Sequence, residues 1–435
     1  MNSRPIPKLM WGAATAAHQV EGNNTNNDWW AFEQAGRVRF PSALACDQYN
    51  RFREDFALLA KLGHNTHRFS VEWSRIEPRE NEWNEAALDH YEEMLLELHR
   101  LGIEPVVTLH HFTNPIWFAD KGGWLNPEAA AYFARFTRKV AERLKEHVRF
   151  WITINEPMVF LYHGYCTGLW PPGEKSFASA VKVLPNLVRA HVAAYREIHA
   201  CYENPRREVW VSISKHMSAF SPFDPKSLKD RFFVFLRDWF FNHLFLEALM
   251  KGFLFFPGLY CEFLSSGPTL DYIGVNYYSR YFIKGTTKGG STPLGVDSQD
   301  PSHPEHTKEQ NFMGWEVYPD GLTKVLLSLK KYKRPVLISE NGICASTDPQ
   351  RESFIQRHVE AVQKAQRAGV PIWGYLYWSF LDNFEWAEGY GPRFGIVEVN
   401  YETQERKIRP SAYVLSEACR KWNEQILQST DQNRS

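Results

Sequence analysis

No apolar run in this 435-residue sequence reaches the ~18 residues that a membrane-crossing helix needs, which argues against a spanning segment. Net charge is missing too. Lys+Arg and Asp+Glu both total 50, so no global basic field exists to draw nucleic acid or an acidic lipid surface. Cys46, Cys166, Cys201, Cys261, Cys344 and Cys419 include no Cys-x-x-Cys pair and no matching histidine spacing. That excludes a zinc site and a disulfide scaffold, and the six read as mostly buried thiols of a reducing, cytoplasmic compartment. No Gly-x-Gly-x-x-Gly or Gly-x-x-x-x-Gly-Lys follows the first strand-like run, so a nucleotide cradle is absent and no cofactor is predicted. The stretch from Leu9 to Ala17, behind Lys8, mimics a signal-peptide core. It is short and runs into His18-Gln19-Val20-Glu21-Gly22, so it reads as part of the fold.

Aromatic residues, in contrast, are plentiful: 16 Trp and 19 Tyr offer faces with polar edges, against which carbohydrate rings pack well. Short β-type runs alternate with amphipathic stretches along the chain. Strands are predicted over Leu9–Thr15, Asn65–Val71, Pro105–His110, Arg149–Asn155, Glu208–Lys215, Tyr272–Tyr278, Pro335–Ser339 and Ile372–Ser379. Leu88, Tyr91, Leu95 and Leu98 share one helical face, as do Phe133, Phe136, Val140 and Leu144. Later helices are predicted over Lys182–Tyr202, Ser227–Lys251, Gly321–Tyr332, Gln350–Ala368 and Pro410–Gln428. Eight strands in strict alternation with helices give an α/β chain, a single (β/α)₈ TIM barrel over residues 1–428 with extended βα loops at its mouth. A doubly wound open sheet is the alternative, though it usually needs fewer strands. Tyr281–Gln310, rich in Gly, Ser, Thr, Pro and Asp, reads as a long rim loop. Residues 429–435 read as a short, disordered polar tail.

The predicted strands end in polar groups: Gln19; Arg68; His110 and His111; Asn155 and Glu156; Asn276 and Tyr278; Glu340; Glu385 with Trp386. One such end is an ordinary satisfied polar group. Their recurrence at most strands points to a shared pocket at the barrel mouth. Besides Glu385 the ends carry two further carboxylates, Glu340 in Ile338-Ser-Glu-Asn-Gly342, where Gly342 allows a tight turn, and Glu156 in Thr153-Ile-Asn-Glu-Pro157. A pair of carboxyls flanking one atom can cleave a glycosidic bond, one as proton donor and the other as ionised nucleophile or base. Arg68 beside Glu340 would keep that group ionised, and the nearby charge would leave the proton on Glu156.

These motifs occur in order with Trp11-Gly-Ala-Ala-Thr-Ala-Ala-His-Gln19, Arg68-Phe-Ser and Trp73-Ser-Arg-Ile. Asp271-Tyr-Ile-Gly-Val-Asn-Tyr-Tyr-Ser279, Gly314-Trp-Glu-Val-Tyr-Pro319, Trp378-Ser-Phe-Leu-Asp-Asn-Phe-Glu-Trp386 and Arg393-Phe-Gly395 follow. From Leu9 to Trp422 the chain resembles glycoside hydrolase family 1, the β-glucosidase-type retaining glycosidases. The resemblance implies Glu340 as nucleophile, Glu156 as acid/base and Asn155 on the sugar 2-OH. It also implies Arg68 and Tyr278 around Glu340, and Asn276 supporting Glu156. Gln19, His111, Glu385, Trp386 and Phe394 would hold the glycone over Trp378, with Trp315 flanking the leaving group. No metal or cofactor is implied. The partner is a small β-glycoside or oligosaccharide.

The sequence departs from the family pattern at His111-Phe112-Thr113, where His-Trp-Asp is usual, at His18, where Tyr is commoner, and in a short Gly22–Cys46 segment. The leading expectation is a retaining exo-β-glycosidase acting on β-glucosides, with β-galactosides and β-fucosides as further substrates. A 6-phospho-β-glycosidase is disfavoured because Glu385 would repel a phosphate. A silent carbohydrate-binding homologue is disfavoured because both glutamates are present.

Overall fold

The computed structural model describes residues 7–202 and 208–432. Eight parallel strands close into a barrel: β1 Met10–Ala14, β2 Thr66–Ser70, β3 Glu104–His110, β4 Phe150–Asn155, β5 Trp210–His216, β6 Ile273–Tyr277, β7 Val336–Asn341 and β8 Ile372–Trp378. Each pairs with its neighbour in sequence, and β8 closes onto β1, with Met10 opposite Gly374 and Ala14 opposite Trp378. The closed barrel removes the open-sheet alternative. Its strands are buried along nearly their whole length, which explains why they read as apolar runs rather than alternating ones.

The interior is filled rather than hollow. Met10, Val106, Phe150, Ile152, Tyr272, Leu337 and Leu376 form an apolar plug, with Trp210 and Trp373 packed against it. Helices wrap the outside by their apolar faces: Phe133, Phe136, Val140 and Leu144 of the helix Ala129–Leu144 are all fully buried. Each such side chain is worth about 1.5–3 kcal/mol of burial.

Three expectations need correction. The predicted loop Tyr281–Gln310 is partly a sheet, with Arg280–Lys284 pairing in parallel with Ala219–Pro222 and antiparallel with Val296–Ser298. Val296 and Phe282 supply β-type residues that the glycines around them obscured. The helix predicted over Ser227–Lys251 is interrupted by a π-helical turn, Asp238–His243, between Leu228–Arg237 and Leu244–Lys251. The closing helix runs on from Pro410 to Gln432, past the Gln428 boundary, because no Gly or Pro interrupts it. Of the predicted tail, residues 433–435 lie outside the described residues. Four of the six cysteines are buried, but Cys261 is exposed on the hairpin Phe253–Phe263. Among the described residues no helix is long and apolar enough to cross a membrane.

At two strand ends the pairing register shifts, between Ile152 and Asn155 against β5 and between Ile338 and Glu340 against β6. Such bulges re-aim side chains. Here Ser339 and Glu340, adjacent in sequence, both face into the barrel: the Ser339 hydroxyl meets Ser214 Oγ at 2.7 Å while Glu340 meets Arg68. Gly342 follows, and the need for glycine there is one of space rather than of a left-handed turn. A Cβ at that position would lie 1.6 Å from the Trp378 carbonyl oxygen. Gly342→Ala therefore forces β7 and β8 apart and should lower stability by at least the ~1–3 kcal/mol typical of overpacking. Urea denaturation followed by tryptophan fluorescence would read it, and an unchanged midpoint would contradict the close approach.

Candidate active site

Arg68, with no exposed side-chain surface, spreads its donors from β2 over three other strands. Nε donates to Thr108 Oγ1 on β3 at 3.0 Å and Nη2 to Asn155 Oδ1 on β4 at 2.7 Å. Nη1 reaches the Ser339 carbonyl at 3.3 Å and Glu340 Oε1 at 2.5 Å on β7. Tyr278, one residue beyond β6, donates its hydroxyl to Glu340 Oε2 at 2.6 Å. Both oxygens of this buried carboxylate are thus bonded, one of them to a cation.

Glu156 follows β4 in a left-handed backbone conformation, φ 44°, and leads into a short helix whose first residue is Pro157. Proline there has no N–H to lose. Asn276 donates through Nδ2 to Glu156 Oε1 at 2.7 Å and to Asn155 Oδ1 at 3.2 Å. Its own carbonyl oxygen accepts from the Ser214 and Ser339 hydroxyls at 2.6 and 2.8 Å, which fixes the amide's orientation. A second group, the ring of His216 at the end of β5, sits with Nδ1 3.1 Å from the same Glu156 oxygen.

Both glutamates line one cavity of about 380 Å³. Gln19, His111, Asn155, Tyr278, Trp315, Trp378, Glu385, Trp386 and Phe394 line it as well, while Arg68 and Asn276 stand behind it. The sequence-derived residues therefore converge except for His110, whose ring turns away from the cavity to Asn114 Oδ1 at 3.1 Å and packs on Trp124, Phe133 and Phe160. Gln19 is held by its amide nitrogen to Asn383 Oδ1 at 3.0 Å and the Phe384 carbonyl at 2.9 Å, which leaves a buried Oε1 with no protein partner. His111 Nε2 accepts from Asn155 Nδ2 at 3.2 Å, so the proton belongs on Nδ1, another buried atom with no protein partner. Burial, then the charge of Arg68, keeps that ring neutral, well below its usual range. Trp378 stacks on His111 at 5.9 Å, and Phe112 forms a wall with Trp170 at 4.8 Å and Trp386 at 5.3 Å. His18 lies stacked on Trp386 at 5.8 Å and takes a bond from Asn27, a packing role in the place where Tyr is commoner. Trp315 is fixed through its neighbour Glu316, which Arg280 grips at 2.6 and 2.8 Å.

The two carboxyls are linked electrostatically, so that ionising one makes the other harder to ionise. Burial pushes Glu340 up to about 7, with Arg68 opposing and the charge of Glu156 adding to the rise. Burial also acts upward on Glu156, but His216 and Asn276 outweigh it and hold that carboxyl below the usual range. His216, which the sequence reading did not include, is the neighbour that most favours an ionised Glu156. Glu385 is a third acid in the cluster, pushed up to about 8 by burial and by the charges of Glu340 and Glu156.

Sequence reasoning also missed Lys215, buried against Phe241 at 4.6 Å and drawn down to about 7 by burial, and the wall residue Trp170. His216 and Lys215 were within reach of the sequence, because they end the fifth strand as the other polar groups end theirs. Trp170 lies in an irregular segment, where no periodicity points to it. Among the described residues no group of three or more His, Cys, Asp or Glu side chains is placed to hold a metal.

A family model of glycosyl hydrolase family 1 matches residues 4–424. Beta-glucosidase A of Thermotoga maritima is 33% identical over 450 residues, covering 96% of this chain and 98% of that protein. Among solved structures, a beta-glycosidase from Pyrococcus horikoshii superposes with a TM-score of 0.87 at 40% identity, over 94% of this chain and 93% of the other. A Thermotoga maritima beta-glucosidase in complex with glucoimidazole superposes with a TM-score of 0.86 at 32% identity, covering 95% and 98%.

The acid cluster makes stability depend on pH. Unfolded, Glu340 and Glu385 lose their protons near 4.5, whereas folded they hold them to about 7 and about 8. Between those limits the folded state binds more protons, so raising the pH destabilises it. The thermal midpoint should fall as pH rises from about 5 to about 8, and Glu385→Gln should flatten that fall. Differential scanning calorimetry across this window checks it; parallel wild-type and variant curves would refute it.

Proposed function

Because the chain belongs to glycosyl hydrolase family 1, we propose that it hydrolyses terminal β-D-glycosides, β-glucosides foremost, with retention of configuration. The observation that carries this reading is the pairing in one cavity of Glu340, bonded to Arg68 and Tyr278, with Glu156, bonded to Asn276 and His216.

The two carboxyls titrate as a pair holding one proton, and the form that reacts carries it on Glu156: in the first step ionised Glu340 attacks the anomeric carbon and the glycosidic bond breaks, while Glu156 gives its proton to the departing oxygen. A glycosyl ester on Glu340 results. In the second step water attacks the same carbon, Glu156 takes the proton back, and the ester bond breaks to release the sugar. Asn276 and His216 both contact Glu156 Oε1, so the exchanged proton falls to Oε2. Asn155 has one N–H engaged by His111 and a second free for the sugar 2-OH. Gln19 Oε1 and His111 Nδ1, both lacking a protein partner, suit a hydroxyl donor and a hydroxyl acceptor. Trp378 offers the ring face beneath the glycone, Glu385, Trp386 and Phe394 complete its pocket, and Trp315 flanks the leaving group. A 6-phosphate fits poorly, since the third acid, Glu385, lies in the pocket and the lining Arg237 is engaged by Asp297 at 2.7 Å.

A panel of aryl β-glycosides varied in sugar and leaving group tests the reading, with the first-formed anomer followed by proton NMR. The β anomer is expected, as from retaining enzymes in general, whose carboxyls lie about 5–5.5 Å apart. Glu340→Gly should abolish hydrolysis, a loss of at least about three orders of magnitude, while glycosyl fluoride donors restore bond formation. Wild-type turnover by that variant, or an α product, would overturn the assignment. Preference for the 6-phosphorylated substrates would shift it to the phosphoglycosidase reading.

A further inference from the structure

The mechanism asks Glu156 to change charge twice in each turnover, yet one of its two partners can only donate. The Asn276 amide supplies an N–H at 2.7 Å and has no means of adjusting. The other partner is a titratable ring. His216 Nδ1 lies 3.1 Å from Glu156 Oε1, and its Nε2 lies 3.1 Å from Ser218 Oγ, a hydroxyl able to donate or accept. Ser218 is itself fixed, its N–H donating to Asn242 Oδ1 at 3.1 Å and its carbonyl accepting from Asn242 Nδ2 at 2.9 Å. The imidazole stacks on Tyr278, 5.7 Å between centroids, and that tyrosine donates to Glu340, so the ring touches the surroundings of both carboxyls. Phe241 closes its edge at 5.7 Å.

Resting on the assignment of Glu156 as acid/base, we propose that His216 is a positioning residue that sets when Glu156 is available as a base, by placing a chargeable ring on the oxygen that does not meet substrate. With the ring protonated, Nδ1–H carries a positive charge against Glu156 and favours its ionised form. With the ring neutral, Nδ1–H still donates while Nε2 accepts from Ser218, and Glu156 is free to keep a proton on its other oxygen. The effect is greatest in the glycosyl-enzyme, where esterification removes the charge of Glu340 and leaves His216 as the nearest chargeable group on Glu156. The other charged or titratable groups facing this ring are few. Lys215, on the same strand, donates its ammonium to the His216 carbonyl at 2.5 Å and feels the charges of Glu156 and Asp238, a contribution that the His216 variants leave in place. His163 faces it from the helical turn Tyr162–Thr167 and is buried and neutral, drawn down to about 4 by burial. Tyr278 is held far above its usual range by burial, so it stays neutral too. Across the pocket, Arg237 is engaged by Asp297.

The test uses a 2,4-dinitrophenyl β-glucoside, whose leaving group needs no protonation, so that hydrolysis of the glycosyl-enzyme limits kcat and Glu156 acts as base. His216→Asn removes the positive charge, and the acid limb of the kcat–pH profile should move to higher pH by about one unit or more, as expected for loss of an opposite charge within hydrogen-bonding range. A purely structural role would lower kcat at every pH and leave the limb in place, which would overturn the proposal. His216→Gln serves as a second variant should the first fold poorly, with the same expected shift. Glu156→Ala, assayed with azide as an external nucleophile, separates the two claims. Rescue of kcat by azide with a β-glycosyl azide product upholds the acid/base reading, and an unmoved limb in the His216 variants then defeats this inference alone. No rescue and a wild-type profile in Glu156→Ala defeats both.

Discussion

A guanidinium buried without exposed surface has to be paid for by its neighbours, and Arg68 sets the terms for the mouth of this barrel. Taking such an ion out of water costs several kcal/mol unless its donors are met and its charge opposed. Thr108, Asn155, the Ser339 carbonyl and Glu340 meet those donors from three strands. The group proposed as nucleophile is therefore also the counter-ion that Arg68 requires. On the proposed path, esterification of Glu340 strips that counter-charge from a cation that cannot move into water. This makes the covalent intermediate electrostatically poor and favours its breakdown, so one contact serves both the integrity of the barrel mouth and turnover.

The same contact needs a departure from regular strand geometry. A strict period of two along β7 puts Leu337 and Ser339 inward and Glu340 outward. The register shift after Ile338 lets Ser339 and Glu340 face in together, Ser339 toward Ser214 and Asn276, Glu340 toward Arg68. Along β4, Ile152 joins the interior plug and Ile154 the outer core, with the shift before Asn155 turning its amide toward Arg68. Both carboxylates are thus delivered by local irregularity within an otherwise regular frame.

That explains what was readable in the sequence and what was not. Strands buried along most of their length announce themselves as apolar runs, and each of the eight lies within a few residues of its predicted place. The polar groups ending them converge, His110 excepted, because a closed parallel barrel brings its strand ends to one mouth. The bulges left no trace, since they depend on the neighbouring strand's register. Gly342 looked like a turn residue, whereas its reason is a carbonyl from a strand more than thirty positions away. The partner that favours an ionised Glu156 was not legible for a similar cause. His216 contacts Glu156 from 60 positions along the chain, and only folding brings it there.

The departures from the family pattern fall in a consistent place. Phe112 and His18 stand in the aromatic layers, Phe112 against Trp170 and Trp386 and His18 stacked on Trp386. Contacts there are dispersive and tolerate a change of ring shape, at the loss of an indole donor in one case. The ring of groups around the carboxylates is joined by hydrogen bonds of 2.5 to 3.3 Å, each with a fixed direction and buried partners that would be left unpaired by substitution. Walls of the first kind can change and alter which sugar or aglycone fits. The frame of the second kind can change only by several residues at once. His216 stands between the two, bonded to the frame by one edge and stacked in the aromatic wall by its face, so it can tune the acid/base without disturbing Arg68.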